Sequence, residues 1–386
     1  MTYFARLMAF HIVAFHIVAG AALQAQETPP TDKIGLWEGT IGDLPIRVCF
    51  DRNDRVPGTY YYLSQLKPIA LQADKDGDAA RLIESAGYDK PTGGAWQIKA
   101  LTARSISGHW TGKGQSLPIS LNRALYTESE FGGPCEAPEF LAPRMAGAEI
   151  EEHKDTLGAE NYISLIYRPG KPFDPDSVEI QTFALLPQQQ GDPVINAALR
   201  KIMPDGQGRS DFAQCMGMMH LAWGTDGDFS HIAMPEVISA RWVGVINSRS
   251  VYCGGAHPSH WQDRQIFDRA SGKEIDPALW FRSDALEIPG GDYQNADAAK
   301  QYVQALSPAL LSLVEARWPA DIIECFDDGG FYSWDIGLGG DGLVFKPNVP
   351  HAITPCAESI TVQWSELGPH LSQAGQAVRS HFNPSQ

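Results

Sequence analysis

Between Ile34 and about Leu125 the chain is a succession of short apolar segments with no helical period among them. Eight can be marked off: Leu36–Ile41, Leu44–Phe50, Gly58–Leu63, Ile69–Leu71, Arg81–Glu84, Ala95–Ile98, Ser105–Trp110 and Leu117–Leu121. Short strands at such close spacing, separated by glycine-bearing turns, imply an antiparallel meander that curls into a small barrel or half-barrel. Lipocalin-like and avidin-like barrels that hold a ligand share this pattern, but a core filled by its own side chains is the favoured expectation, since nothing in these strands selects a ligand. Asp74-Lys75-Asp76-Gly77-Asp78 looks like the start of a calcium loop. That loop needs Gly at position 6 and Glu at position 12, where this chain has Ala79 and Ser85, so a solvated turn is expected.

The 386 residues are too many for one such barrel and suit two domains. An antiparallel β domain is expected over 26–126, a linker rich in Gly, Pro and acids over 127–159, and a mixed domain over 160–386. In the mixed part, Asn161–Tyr167 and Val178–Phe183 read as strands. Asp192-Pro193 reads as a helix start, and Ile195, Leu199 and Ile202 would share a face. Ser210 would open a helix whose Met216 and Met219 serve core packing. Ile238, Ala240, Trp242, Gly244 and Ile246 alternate as along one strand. Helices are expected over Asn295–Leu306 and after Ser307-Pro308. Strands are expected at Ile322–Phe326, Phe331–Leu338, Leu343–Phe345 and Ile360–Trp364, with a hairpin turn at Gly339–Gly342. Strands and helices are grouped and do not alternate strictly, so the fold class is α+β.

The first 25 residues read as a secretory signal. Arg6 precedes an apolar run, Leu7–Leu23, and small residues lead to expected cleavage after Ala25. Removal would leave a periplasmic or secreted chain, not an integral membrane protein. The formal net charge is −16, and loss of Arg6 makes it one unit more negative. That charge argues against nucleic acid and anionic lipid as partners. Six cysteines in an oxidising compartment suggest three disulfides. Neighbourhood favours Cys49–Cys135, Cys215–Cys253 and Cys325–Cys356, although other pairings are open. None has C-x-x-C spacing, so no zinc knuckle is indicated. No metal or cofactor is expected.

The least generic text is Tyr252-Cys253-Gly254-Gly255-Ala256-His257, followed by Phe267-Asp268 and Ser271-Gly272-Lys273. It resembles the pattern of the RsiV C-terminal-like domain, a domain of unknown function named from a lysozyme-sensing anti-sigma factor and found also beside a peptidoglycan deacetylase of PdaC type. Leu343-Val344-Phe345, Pro350–Ile353 and Ile360–Leu367 resemble that family's closing hairpin, loop and strand. The resemblance spans about 160–375. It implies an envelope-facing binding module with a lysozyme-like protein or peptidoglycan as partner. Neither an anti-sigma region nor a deacetylase domain accompanies it, so signalling and deacetylation are not implied.

Tyr252, Gly254, Gly255, His257, His260 and Asp268 are the candidate ligand-binding residues. Each has a structural reading as well. The glycines supply positive φ for a bulge, His257 bonds the turn, and Asp268 accepts amide bonds across a hairpin. No G-x-S-x-G elbow is present. Cys253 beside His257 is better read as half of a disulfide than as a nucleophile. The leading expectation is a non-enzymatic envelope binding protein. A lysozyme-binding inhibitor or sensor is one alternative. The other is a wall- or carbohydrate-active enzyme using His257, His260 and Asp268.

Overall fold

A computed structural model describes residues 32–53, 56–87, 90–128, 132–289, 303–319 and 333–383. Eight strands come first: β1 (Gly35–Ile41), β2 (Leu44–Phe50), β3 (Gly58–Tyr62), β4 (Ile69–Ala73), β5 (Arg81–Ser85), β6 (Pro91–Leu101), β7 (Ser105–Gly112) and β8 (Gln115–Ala124). They pair in sequence order, and β8 closes on β1 with Leu36 opposite Ala124, so the barrel is complete. Closure removes the sheet edges that a half-barrel would leave open.

The barrel is filled. Trp37, Ile46, Val48, Leu71, Leu82, Ile106 and Leu121 are among the buried side chains that form its core. At its centre the Glu84 carboxylate accepts bonds from Trp96 Nε1 (3.0 Å), Trp110 Nε1 (2.7 Å), Thr92 Oγ1 (2.9 Å) and the Tyr60 hydroxyl. A buried carboxylate is tolerable only when its lone pairs are occupied in this way. Around the Asp74 turn, Asp74 Oδ1 accepts the Asp76 amide and Asp78 Oδ1 the Ala80 amide, as expected of a solvated turn.

Residues expected as linker carry structure. Helix α1 (Pro138–Met145) buries Phe140, Leu141, Arg144 and Met145. Proline at its start satisfies helix geometry, because the first amides need no intrahelical partner. Strand β9 (Glu149–Leu157) then forms the edge of a second sheet. Its charged side chains hid it from a reading based on hydrophobic alternation, yet charge suits a strand with one side unpaired.

The second sheet has six strands in the order β14-β13-β12-β11-β10-β9. These are β10 (Glu160–Arg168), β11 (Val178–Leu185), β12 (Asp228–Ile238), β13 (Trp242–Tyr252) and β14 (Ser259–Asp268). β11 and β12 are parallel, so a crossover must join them. Helices α2 (Asp192–Leu199) and α3 (Asp211–Trp223) supply it. Ser210 Oγ caps α3 by accepting the Ala213 amide. Met216 and Met219 are buried there, while Met218 is exposed. The stretch 238–246, read as one strand, is broken by a turn. Ser239 Oγ accepts the amides of Arg241 and Trp242, ending β12 and starting β13. A serine that bonds nearby amides competes with the ladder.

A three-stranded sheet of β17 (Ser333–Leu338), β18 (Gly342–Asn348) and β19 (Ile360–Gln363) packs on the other face of β13 and β14. Around it lie α4 (Pro308–Glu315), α5 (Trp364–Leu367) and α6 (Gln373–Phe382). Strand β15 (Leu286–Glu287) pairs with β16 (Ala305–Leu306), so the end of the segment expected as helix from Asn295 is strand instead. Most of that segment and Ile322–Phe326 lie outside the described residues. α6 was not anticipated. Its sequence is mostly polar, and only Gly375 and Val378 are buried. The class is α+β, as the sequence implied.

Cys49–Cys135 ties β2 to the turn before α1, and Cys215–Cys253 ties α3 to the end of β13. Cys356 is bonded too, while Cys325, its expected partner, lies outside the described residues. The expected signal, residues 1–25, also lies outside them. Two disulfides fit an extracellular or periplasmic protein. Among the described residues no helix is long and apolar enough to cross a membrane.

Candidate functional site

β13 and β14 pair in register, with Trp242 opposite Asp268, Gly244 opposite Ile266, Ile246 opposite Arg264 and Ser248 opposite Gln262. Side chains alternate between faces. The face carrying these residues meets the three-stranded sheet, and its chemistry changes along the strands. At one end Trp242 and Ile266 join Leu338 and Val362 in a dry core. Gly244 lets the Leu338 carbonyl approach, since an added Cβ would sit 2.6 Å from it. In the middle lies Arg264, 3% exposed. It donates to both carboxylate oxygens of Glu236 (2.8 and 3.1 Å) and to Ser359 Oγ (3.2 Å), and lies 3.9 Å from Asp335. A guanidinium buried this far needs such partners.

Beyond Arg264 the two sheets part, and a groove of about 450 Å³ opens. Ser248, His260, Trp261 and Gln262 line it from one sheet, Lys346 and Asn348 from the other. Gln262 Nε2 donates to Ser248 Oγ (3.1 Å) and Asn348 Nδ2 to Ser333 Oγ (2.8 Å), so the amides are oriented. Trp261 meets the groove only at its rim: paired with Arg249 in the register, it sends its indole to the other face of the sheet, 43% exposed, with the Arg249 guanidinium 5.3 Å from its ring centroid. Burial pulls the Lys346 ammonium below its ordinary pKa, and Asp335, its cross-strand neighbour, partly offsets this. The volume and the few oriented polar groups are those of a small-molecule site.

Of the candidate residues only His260 reaches this groove. Gly254 and Gly255 have φ of 98° and 106° and turn the chain after β13, beside the Cys215–Cys253 bridge. Tyr252 Oη donates to the Gly255 carbonyl (3.2 Å), and the exposed His257 lies with Nδ1 3.0 Å from the Pro258 carbonyl. Asp268 accepts the Ala270 amide (3.0 Å) and the Ser271 hydroxyl (3.2 Å). His260 and Asp268 stand at opposite ends of β14, and eight residues at about 3.3 Å each put them roughly 26 Å apart. The structure therefore does not bring His257, His260 and Asp268 together. Among the described residues no cluster of three metal-ligating side chains occurs.

The Phe267–Lys273 text holds α2 in place. Arg269, 2% exposed, donates Nε and Nη2 to the Asp192 carboxylate (2.8 and 2.9 Å), and its Nη1 donates to the Ser239 carbonyl (2.7 Å). The Gly191 amide donates to the Arg269 carbonyl (2.8 Å). A Cβ on Gly191 would overlap the Gly272 amide, so only glycine permits that approach.

A second polar cluster joins the barrel to the rest, and nothing in the sequence marked it. Arg144, fully buried, donates Nε to the Leu66 carbonyl (2.6 Å) and Nη2 to both Asp226 oxygens (2.8 and 3.0 Å). Its Nη1 lies 2.6 Å from His220 Nε2. The same imidazole nitrogen lies 3.0 Å from Asp226 Oδ1, so it stands between a donor and a carboxylate. Burial, then Arg144, pushes the His220 pKa down to about 4. Burial alone would raise Asp226, but His220 and Arg144 outweigh it and hold the carboxyl below its ordinary value. A cavity of about 420 Å³ borders Asp226, Phe173, Lys67 and Thr92.

No family model matches the chain, and no curated protein matches it. Solved structures are similar to parts of it, among them the following two. A member of the DUF3298 family from Bacteroides fragilis is 12% identical, with a TM-score of 0.38, covering 63% of this chain and 100% of that one. A DUF3298 family protein from Pseudomonas aeruginosa is 14% identical, with a TM-score of 0.32, covering 59% of this chain and 94% of that one.

Proposed function

We propose that the chain is a periplasmic or secreted, non-enzymatic binding protein of the cell envelope, and that the groove between the two sheets takes wall glycan. The observation that carries this reading is the groove lining: Gln262 and Ser248 from one sheet face Asn348 and Lys346 from the other. Sugars offer hydroxyls to amides and to a cation, and this lining answers them. The apolar leader, the disulfides and the resemblance to the RsiV C-terminal-like domain support an envelope address.

Calorimetric titration with soluble peptidoglycan fragments tests it. Saturable binding weakened at least tenfold by Gln262→Ala is expected. Undiminished binding by that variant sinks the groove as the site.

The net charge of −16 favours a second reading, capture of a cationic lysozyme-like protein. Its mark would be binding in low salt that fades as ionic strength rises. An unaffected lysozyme assay removes it.

A further inference from the structure

We propose that the groove recognises an acidic sugar, a pyranose bearing a carboxylate, through the ammonium of Lys346. This rests on the groove being the glycan site.

The chain has 46 acidic and 30 basic residues, yet among the described residues no Asp or Glu lines this groove. Among them Lys346 is the one permanently charged group, and His260 lines the groove as well. A positive pocket on a negative protein selects an anion and turns away cations. The nearest candidate to neutralise Lys346 is Asp335, directly across the strand pair. Asp335 lies 3.9 Å from Arg264, which is itself held by Glu236, and Asp263 of β14 also acts on Lys346. Among the described residues no carboxylate forms an ion pair with Lys346. The side chain is half-buried, so a pairing made there is less screened than one on an open surface. Gln262, Ser248 and Asn348 stand around the cation to take the hydroxyls of the same ring.

Carboxylated pyranoses come as lactyl ethers in wall glycan or as uronic acids in other polymers. The charge recognition is common to both. The full chain is titrated calorimetrically with three tetrasaccharides. One alternates N-acetylglucosamine with N-acetylmuramic acid, one is tetragalacturonate, and one is the neutral chitotetraose. At least one acidic ligand should bind about tenfold tighter than chitotetraose, the scale of one charge-assisted hydrogen bond.

Lys346→Met should remove that advantage, while Lys346→Arg should keep it. Preference for the lactyl ligand names the wall as source. Preference for the uronate names another polymer. Equal affinity for acidic and neutral sugars overturns this inference and leaves the groove reading standing. An acidic preference that survives in Lys346→Met also overturns it. Silence with all three sugars overturns both.

Discussion

Acidification should destabilise this protein well before its carboxylates protonate. His220 is fully buried and neutral, with its pKa pushed from 6.5 down to about 4. The unfolded chain therefore takes up a proton between those values that the folded chain refuses. Stability from this group is complete above about pH 6.5, falls as pH drops toward 4, and changes no further below that. At pH 5 the loss is about 2 kcal/mol, and the whole shift corresponds to about 3 kcal/mol. His231, 4% exposed beside Arg249, is also pushed down to about 4 and acts in the same window. Asp226 and Asp192 have lowered pKa values, so they lose stability only at more acid pH. Glu136, raised by burial, works weakly in the opposite direction. The assay is urea unfolding followed by circular dichroism at pH 8 and pH 5. His220→Gln keeps an acceptor for Arg144 and should remove about 2 kcal/mol of the difference between the two pH values. An unchanged pH dependence in that variant would refute the reasoning.

Arg269→Met leaves Asp192 buried without its cation and should cost about 3–5 kcal/mol, measured as a drop in the urea midpoint. Glu84→Ala leaves the indole N–H groups of Trp96 and Trp110 and the Tyr60 hydroxyl without their acceptor. A loss of at least about 3 kcal/mol is expected, with altered tryptophan fluorescence; a neutral result would show that the barrel centre is wet. Replacing both Cys49 and Cys135 by alanine opens a loop of 86 residues and should cost about 4 kcal/mol by thermal unfolding.

Much of the barrel was legible because its signal is local. Alternation and turn glycines act within a few residues, and Leu36, Trp37 and Ile46 followed them. The edge strand β9 was not, since Glu151, His153 and Asp155 carry no apolar face. The Tyr252–Lys273 motif drew attention for a sound reason: both its ends hold helices, and His260 and Gln262 between them line the groove. Asp268 bonds its own turn, Arg269 grips Asp192, and Cys253 anchors α3. Nearness in sequence misled at His260 and Asp268, because an extended strand separates what the text sets side by side. Arg144, His220 and Asp226 meet across 76 and 82 residues from Arg144, and no local pattern encodes that. Lys346 and Asn348 escaped notice for the same reason.

The most direct test of the central claim is a crystal structure of the protein with a wall tetrasaccharide at saturating concentration. Sugar is expected between the sheets, with its polar groups at Gln262, Asn348 and Lys346. Sugar seated instead in the cavity beside Asp226 and Phe173, or none in the groove, would contradict the account.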